Sequence, residues 1–161
     1  MGTEIERKFL LQHEGWRQHV KSTTHMIQGY LSVNPEATVR IRIAGDSAFL
    51  TLKGKRTHFS AAEFEYPVPV EDAREILKHM CVCEPIEKRR HIVEHRGHMW
   101  EIDEFLGANV GLYIAEIELE SADTPFDRPE WLGKEVSLDQ RYSNSSLVQT
   151  PYITWEIDHE G

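Results

Sequence analysis

Several features that would assign this 161-residue chain to a protein class at once are missing from it. No apolar run approaches the ~20 residues of a membrane span, and the N-terminus lacks the basic-then-apolar order of a signal peptide. No glycine-framed phosphate loop is present, since Gly54 and Lys55 stand alone. A basic surplus is also missing, because the formal net charge is -9. We therefore expect neither a nucleic acid nor a membrane as a partner.

Cysteine is scarce and histidine is scattered. The two cysteines, Cys81 and Cys83, are too close in sequence for a comfortable disulfide and have no second pair to complete a zinc site. We therefore expect two reduced thiols and a cytoplasmic location. The nine histidines stand mostly among polar residues and form no cluster with metal-ligand spacing, so solvated histidines are the simpler interpretation.

The length fits one domain, and the pattern is mainly that of β-strands. Alternating apolar and polar side chains, which are typical of half-buried strands, occur at residues 3–11, 26–33, 38–44, 48–54, 62–69, 86–94, 98–104 and 112–120. Short connections between most of these segments indicate antiparallel hairpins. A helix is predicted over 70–80, with Ala73 and Ile76 on its apolar face. Weaker patterns predict a short helix at 12–20 and a last helix that starts near Ser137.

The chain is rich in charges at every second residue of the predicted strands. The residues in this register are Glu4, Glu6, Lys8, Arg40, Arg42, Lys53, Glu63, Glu65, Lys88, Arg90, Glu101, Asp103, Glu116 and Glu118. Successive side chains of a strand point to opposite faces, so these charges share one face and the apolar residues between them share the other. Eight antiparallel strands favour a closed barrel. We therefore predict an α+β fold, in which an eight-stranded antiparallel β-barrel has a charged lumen and packs its apolar face outward under a few helices.

The residue types indicate what this lumen holds. Carboxylates are hard oxygen ligands for Mg²⁺ or Mn²⁺, and the candidates, if the first and eighth strands are neighbours, are Glu4, Glu6, Glu116 and Glu118. Arginine forks grip phosphate oxygens and lysine adds a point charge, and the bases that would follow a linear polyphosphate are Arg40, Arg42, Lys53, Lys88 and Arg90. Two plain alternatives stay open: strand faces that are only solvated, and a barrel whose internal charges only pair with one another.

These segments resemble the CYTH superfamily, the triphosphate tunnel metalloenzymes. Glu4-Ile5-Glu6-Arg7-Lys8 matches the ExExK signature of that family. The match continues in order through Gln28-Gly29-Tyr30-Leu31, Val39-Arg40-Ile41-Arg42, Thr51-Leu52-Lys53, Glu63-Phe64-Glu65, Glu87-Lys88-Arg89-Arg90, Glu101-Ile102-Asp103, Glu116-Ile117-Glu118 and Glu135-Val136-Ser137. The resemblance implies a domain over residues 1–147, an eight-stranded tunnel and the activity of a short bacterial tripolyphosphatase. The tail 148–161 shows no pattern.

The resemblance also implies a role for each position. Metal-binding carboxylates match Glu4, Glu6, Glu116 and Glu118, and triphosphate-binding bases match Lys8, Arg40, Arg42, Lys53 and Arg90. The catalytic candidates are Lys88, which matches a lysine beside the reacting phosphoryl group, together with Glu63 and Asp103. The candidates for holding a second metal or orienting water are Glu65 and Glu101. The role of Glu120 stays open, and Arg56, in a loop outside the alternating register, is expected to contribute less than Arg42.

The expected activity is metal-dependent hydrolysis of inorganic tripolyphosphate, a small-molecule substrate, with nucleoside triphosphates as further substrates. A class IV-like adenylate cyclase or a thiamine triphosphatase is the alternative within the fold. Either enzyme needs a pocket for an organic group, for which Tyr30, Phe59 and Trp100 are the aromatic candidates. Outside enzymes, the alternative is a binder of polyphosphate or nucleotide, which would not need so many carboxylates. The resemblance is also compatible with a homodimer.

Overall fold

The computed structural model describes residues 2–155, which form mainly antiparallel strands. Within this range the strands are β1 (Gly2–Leu11), β2 (Val20–Ser32), β3 (Ala37–Ala44), β4 (Ser47–Gly54), β5 (Ser60–Val68), β6 (Ile86–His95), β7 (His98–Phe105), β8 (Tyr113–Glu118) and β9 (Leu132–Glu135). The α-helices are α1 (Val70–His79) and α2 (Asn144–Leu147), and the 3-10 helices are Gly15–His19, Gly107–Asn109, Gln140–Tyr142 and Tyr152–Thr154. None of the helices in the described range is long and apolar enough to cross a membrane.

Eight of these strands close into a barrel, as the alternation predicted. Their hydrogen-bonded order is β5-β4-β3-β2-β6-β7-β8-β1, and β1 also pairs with β5, which closes the ring. The first half of β1 pairs with β5, where Glu4 is opposite Ala61. Its second half pairs with β8, where Glu6 is opposite Glu118. The first and eighth strands are therefore neighbours, as the candidate carboxylate group requires.

The apolar residues of the alternation pack on the outside of the barrel. Phe9, Trp100 and Ile117 lie on three adjacent strands and are buried together with Trp16 and Trp131 from the flanking segments. The Trp100 ring meets the rings of Phe9 and Trp131 edge to face, with centroid distances of 5.7 Å in both pairs. The flanking segments thus remove the outer apolar face of β1, β7 and β8 from water, and this burial stabilises the barrel without filling its lumen.

The predicted helix over 70–80 is confirmed as α1. Ala73 on α1 is fully buried in a cluster with Ile41 of β3 and Ala48 of β4. Pro69 precedes the helix, and acidic residues in its first turn with basic residues in its last turn match the helix dipole. The helix therefore covers the outer face of β3 and β4.

Apolar residues also close one end of the lumen. Ile86, Phe105 and Ile114 follow the register of the lumen charges, yet they are buried with Leu147 and Trp155 of the C-terminal segment, residues 136–155. The alternation alone predicts a polar lumen along its whole length. The C-terminal segment thus covers one end of the tunnel with an apolar core.

Strand β9 is absent from the sequence-based prediction. It is only four residues long and pairs irregularly with the end of β1, where Leu11 is opposite Leu132. A Cβ atom at Gly133 would lie 3.0 Å from the carbonyl oxygen of Leu10. The glycine is therefore needed for close approach to β1, a long-range reason that a local pattern does not contain.

The weaker helix predictions are partly wrong. Residues 12–20 contain only the 3-10 helix Gly15–His19, and the helix expected near Ser137 is split into a 3-10 turn and α2. The Ser143 hydroxyl caps α2 by accepting a hydrogen bond from the backbone N–H of Ser146. Val148 and Trp155, in the tail without a pattern, are buried. The rest of that tail, 156–161, lies outside the described residues.

Candidate active site

A cavity of about 520 Å³ occupies the lumen and collects almost every site residue that the sequence predicts. The predicted residues on its wall are Glu4, Glu6, Lys8, Arg40, Arg42, Lys53, Glu63, Glu65, Lys88, Arg90, Glu101, Glu116 and Glu118. Asp103 lies behind this wall, with 2% of its surface exposed. Glu120, whose role the sequence leaves open, is exposed and is not among the residues of the wall.

Three cations lie near the carboxylates of β1, and the most distant is Lys8, whose Nζ is 3.9 Å from Glu6. Lys53 Nζ lies 2.6 Å from the Glu4 carboxylate, and the Arg56 guanidinium lies 3.1 Å from Glu4 and 3.3 Å from Glu6. Burial raises the pKa of Glu4, but Lys53 and Arg56 together outweigh it, so that pKa lies below its ordinary value. Glu4 is therefore ionised at neutral pH.

Strand β8 places Glu118 beside this pair, opposite Glu6. Burial raises the pKa of Glu118, and the negative charges of Glu4, Glu63 and Glu6 raise it further. Burial and Glu4 raise the pKa of Glu63 in the same way. The carboxylates at this part of the wall therefore repel one another, and an added cation would relieve that repulsion.

The chemistry of this group fits a hard divalent cation. Its donors are carboxylate oxygens, which Mg²⁺ and Mn²⁺ prefer, and Glu4 and Glu6 already share one cationic partner in Arg56. Among residues 2–155, no three His, Cys, Asp or Glu side chains are gathered at metal-binding spacing. The donor set therefore suits the ion, but these side chains would need to turn towards it.

Glu116 lies at the junction of the acidic and basic parts of the wall. Its carboxylate is 3.5 Å from Lys8 Nζ and 3.7 Å from the Arg90 guanidinium. Arg90 also lies 3.3 Å from Glu101, whose pKa is raised by burial although Arg90 lowers it. Because Glu116 and Glu101 are shared with bases, a phosphate group bound at this junction would meet charges of both signs.

Asp103 anchors the basic part of the wall from behind. It accepts two hydrogen bonds from Arg90, at 2.8 and 2.9 Å, and one from Lys88 Nζ, at 2.6 Å. Burial raises the pKa of Asp103, but Arg90 and Lys88 outweigh it and hold that pKa well below its ordinary range. Asp103 is thus a permanent anion that positions the two bases and has no proton to exchange.

Lys88 has the most perturbed environment of the predicted bases. Its side chain is fully buried, and this burial, with the nearby charges of Arg90 and Arg42, outweighs the attraction of Asp103 and lowers the pKa of Lys88 to about 7. The amine can therefore exist both with and without its proton near neutral pH, as a general acid or base requires.

Neutral side chains bond to the two arginines of β3, and Arg40 also lies 3.7 Å from the Glu65 carboxylate. Arg42 Nε donates to Gln28 Oε1 at 2.7 Å, and Gln28 Nε2 donates to Asn144 Oδ1 at 2.8 Å. One Arg40 nitrogen donates to the Thr51 hydroxyl at 3.2 Å. The guanidinium groups are therefore oriented before a ligand arrives, which lowers the entropy cost of binding.

The alternation misses two parts of this site. The expectation that Arg56 lies outside the lumen register is correct for its backbone, but its side chain reaches the cavity and contacts Glu4 and Glu6. The C-terminal segment adds the polar side chains Ser143, Asn144, Ser145 and Ser146 to the wall. The run Ser143–Ser146 has no strand period, and its small polar residues are the only local signal for such a position.

The aromatic candidates for an organic group are not gathered at the cavity. Trp100 is fully buried in the outer core, and Phe59 lies under the Arg7 guanidinium, which is 5.1 Å from its ring centroid. Of the three candidates, Tyr30 lines the cavity. The prediction that Trp100 and Phe59 could line a pocket for adenine or thiamine is therefore wrong.

The similarity to known proteins agrees with this geometry. The chain is 44% identical over 152 residues to an inorganic triphosphatase of Acetivibrio thermocellus, covering 94% of this chain and 97% of that protein. It is 33% identical over 150 residues to an inorganic triphosphatase of Nitrosomonas europaea, covering 91% and 97%. A solved structure of an inorganic triphosphatase superimposes with a TM-score of 0.64 at 32% identity, over 90% of this chain and 97% of that one.

The family follows from the extent of the match. The model of the CYTH domain matches residues 2–152, which include every strand of the barrel and α2 of the C-terminal segment. CYTH triphosphatases generally depend on a metal ion, which agrees with the carboxylate group on β1 and β8. The chain therefore belongs to the CYTH domain family.

Proposed function

We propose that this protein is an inorganic triphosphatase that hydrolyses tripolyphosphate with Mg²⁺ or Mn²⁺. The observation that carries the proposal is the division of one cavity into a carboxylate part, around Glu4 and Glu6, and a basic part, around Arg42, Lys88 and Arg90. Both curated relatives described above are inorganic triphosphatases. A linear polyanion that carries a cation satisfies both parts at once.

The pairing of charges within the lumen does not remove the need for a ligand. Lys53 pairs with Glu4, and Arg90 pairs with Asp103, which offsets part of the cost of burying these groups. A cavity of about 520 Å³ nevertheless remains between them. The internal pairs thus keep the site folded while it is open to substrate.

In the proposed reaction the protein supplies position and charge. The bound metal ion would neutralise phosphate charge and activate water, and Glu4, Glu6, Glu116 and Glu118 would hold it. Arg40, Arg42 and Arg90 would bind phosphate oxygens and stabilise the charge that spreads over the transferred group. Lys88, with a pKa near 7, would exchange a proton at its Nζ with the attacking water or the phosphate. The remaining candidates, Lys8, Lys53, Glu63, Glu65 and Glu101, would complete the charge balance along the wall.

We also propose a reducing, cytoplasmic location, which the two free thiols of Cys81 and Cys83 support. The catalytic unit in this proposal is a single barrel, because every proposed site residue belongs to one chain.

The test of this function is a comparison of substrates. Phosphate release is measured with tripolyphosphate, ATP and thiamine triphosphate, each with Mg²⁺, with Mn²⁺ and with EDTA. We expect kcat/KM for tripolyphosphate to exceed that for ATP by roughly tenfold or more, which corresponds to about 1.4 kcal/mol. The reason is that the charged side chains of the wall can bind phosphate groups, whereas Tyr30 is the one aromatic candidate for adenine that lines the cavity. ATP, where it is used, should give ADP.

Two results would contradict the proposal. Cyclic AMP and pyrophosphate as main products, separated by ion-exchange chromatography, would favour the adenylate cyclase. Tight tripolyphosphate binding without any turnover, in the presence of either metal, would favour a binding protein.

A further inference from the structure

The C-terminal segment places one side chain, Asn144, in contact with the basic part of the site. Its Oδ1 atom accepts from Lys88 Nζ at 3.1 Å and from Gln28 Nε2 at 2.8 Å. Leu147, three residues further on, is fully buried in the apolar core that covers this end of the tunnel. The packing of Leu147 and the hydrogen bonds from Lys88 and Gln28 therefore hold Asn144 in place.

The direction of these hydrogen bonds is set by chemistry. Arginine has only donors, so the group of Gln28 that faces Arg42 Nε must be its oxygen, at 2.7 Å. The nitrogen of Gln28 then faces Asn144, and Asn144 must present its oxygen in return. Gln28 is fully buried, so an opposite orientation would leave two donors facing each other without water. Asn144 consequently offers an acceptor, and not a donor, to Lys88.

This direction fixes the orientation of the Lys88 amine. Asp103 accepts at 2.6 Å and Asn144 at 3.1 Å, so two of the tetrahedral positions on Nζ are occupied by donated hydrogens. With Asp103 as the sole acceptor, the last side-chain torsions of Lys88 could change and reorient the amine while it kept that one hydrogen bond. With two acceptors, the remaining position on Nζ is confined to the side of the cavity, which Lys88 lines.

We propose that Gln28 and Asn144 are positioning residues, which form a hydrogen-bond relay from Arg42 to Lys88 and aim the free position of Lys88 Nζ at the substrate. The relay rests on the proposed hydrolysis, in which Lys88 faces the reacting phosphate. It assigns a role to the last helix, α2, that the charged strands do not reveal. Charged groups also surround Lys88 from β3, β6, β7 and β8, and they are Arg42, Arg90, Asp103 and Glu116.

The test uses substitutions that break, keep or reverse the relay. Asn144→Ala removes the acceptor of the Lys88 hydrogen bond, whereas Asn144→Asp keeps an acceptor oxygen there. Gln28→Glu keeps an acceptor for Arg42 but places a carboxylate oxygen next to Asn144 Oδ1, so that the hydrogen bond between residues 28 and 144 is lost. Tripolyphosphate hydrolysis is measured for each variant at the plateau of its own pH profile, with circular dichroism to verify folding. We expect Asn144→Ala and Gln28→Glu to lower kcat by about 10- to 100-fold, the cost of misplacing a proton-transfer group. KM should rise much less, and Asn144→Asp should recover most of kcat.

Thr154→Ala is the control, because Thr154 belongs to the same C-terminal segment but is exposed and lies outside the cavity wall, where its hydroxyl donates to the Pro151 carbonyl at 2.6 Å. We expect wild-type kinetics from it. Wild-type kcat in Gln28→Glu and Asn144→Ala, or an Asn144→Asp enzyme as slow as Asn144→Ala, would overturn the relay. If Asn144→Ala does not fold, Gln28→Glu decides between these outcomes. Absence of hydrolysis by the wild-type protein would instead remove the proposed function, and the relay with it.

Discussion

At the scale of the residue, neighbouring lumen carboxylates differ in their partners. Glu6 is 9% exposed and lies 3.3 Å from Arg56 and 3.9 Å from Lys8. Glu94, near the end of strand β6, is instead exposed and pairs with Lys21 outside the barrel. The two glutamates belong to strands of the same sheet, but only Glu6 shares its surroundings with other carboxylates. Substitution of each glutamate therefore tests whether metal binding belongs to the lumen face of the sheet or to its outer face.

Glu6→Gln should abolish most of the metal-dependent hydrolysis while the fold is retained. The amide keeps the shape of the side chain but removes one negative charge and one hard ligand. Mn²⁺ binding, followed by isothermal titration calorimetry without substrate, should weaken in parallel. Glu94→Gln is the control and should leave both measurements unchanged. Turnover at the wild-type rate by Glu6→Gln would remove this carboxylate from the metal site.

At the scale of the element, the loop 55–59 joins β4 to β5 and closes over the first strand. Its backbone is held by paired hydrogen bonds between Thr57 and Ser60, and the Phe59 carbonyl accepts from the backbone N–H of Glu6 at 3.1 Å. Arg56 donates to the same carbonyl at 2.8 Å. His58 has a φ of 60°, an uncommon conformation for a residue with a side chain. The loop is therefore docked on β1, with Arg56 as its main link to the carboxylates.

Arg56→Ala should strengthen metal binding in the absence of substrate. The substitution removes a cation that competes for Glu4 and Glu6, and a partly exposed ion pair of this kind contributes about 1 kcal/mol. We therefore expect a roughly fivefold lower dissociation constant for Mn²⁺ by calorimetry. Lys55→Ala, in the same loop, is the control, because the Lys55 ammonium lies 3.7 Å from exposed Glu36 and, among the described residues, forms no ion pair with Glu4 or Glu6. An unchanged or weaker affinity in Arg56→Ala would show that the guanidinium does not occupy the place of the metal.

At the scale of the whole molecule, the two-residue period was sufficient to predict the barrel, its inverted faces and most of the charged residues on the wall of the cavity. The period works because seven of the eight barrel strands, all except β2, carry charged residues on the lumen face, from Glu4 on β1 to Glu118 on β8. It fails where a contact is set by distant parts of the chain. Arg56 reaches the lumen from a loop, and Asn144 reaches it from a segment whose position is decided by apolar packing at one end of the tunnel. Neither residue belongs to a run of alternating polar and apolar residues from which its place in the lumen could be predicted.

The buried amine of Lys88 should make the stability of the whole protein depend on pH. Its pKa is lowered from 10.5 to about 7 in the folded state, so between these values the unfolded chain binds more protons than the folded one. The contribution of Lys88 to the free energy of unfolding therefore rises as the pH increases from about 7 to 10.5. Compared with Lys88→Met, the wild type should gain on the order of 2–4 kcal/mol in unfolding free energy between about pH 6.5 and pH 9.5, measured by urea denaturation.

Lys21→Met, at an exposed lysine, is the control for this comparison. Its unfolding free energy should follow the wild type at every pH. A difference between wild type and Lys88→Met that stays constant across the window would mean that the folded protein keeps the Lys88 proton.

The closure of the ring by β1 has a consequence for synthesis on the ribosome. Glu6 pairs with Glu118 and Phe9 with Ala115, so the second half of the first strand has no partner on this side until β8 has been translated. At roughly 5–20 residues per second, that wait lasts on the order of ten seconds. An unpaired strand invites aggregation, and charged side chains are a common protection against it. Glu6 and Lys8, on this second half, are therefore useful to the nascent chain before they have any substrate to bind.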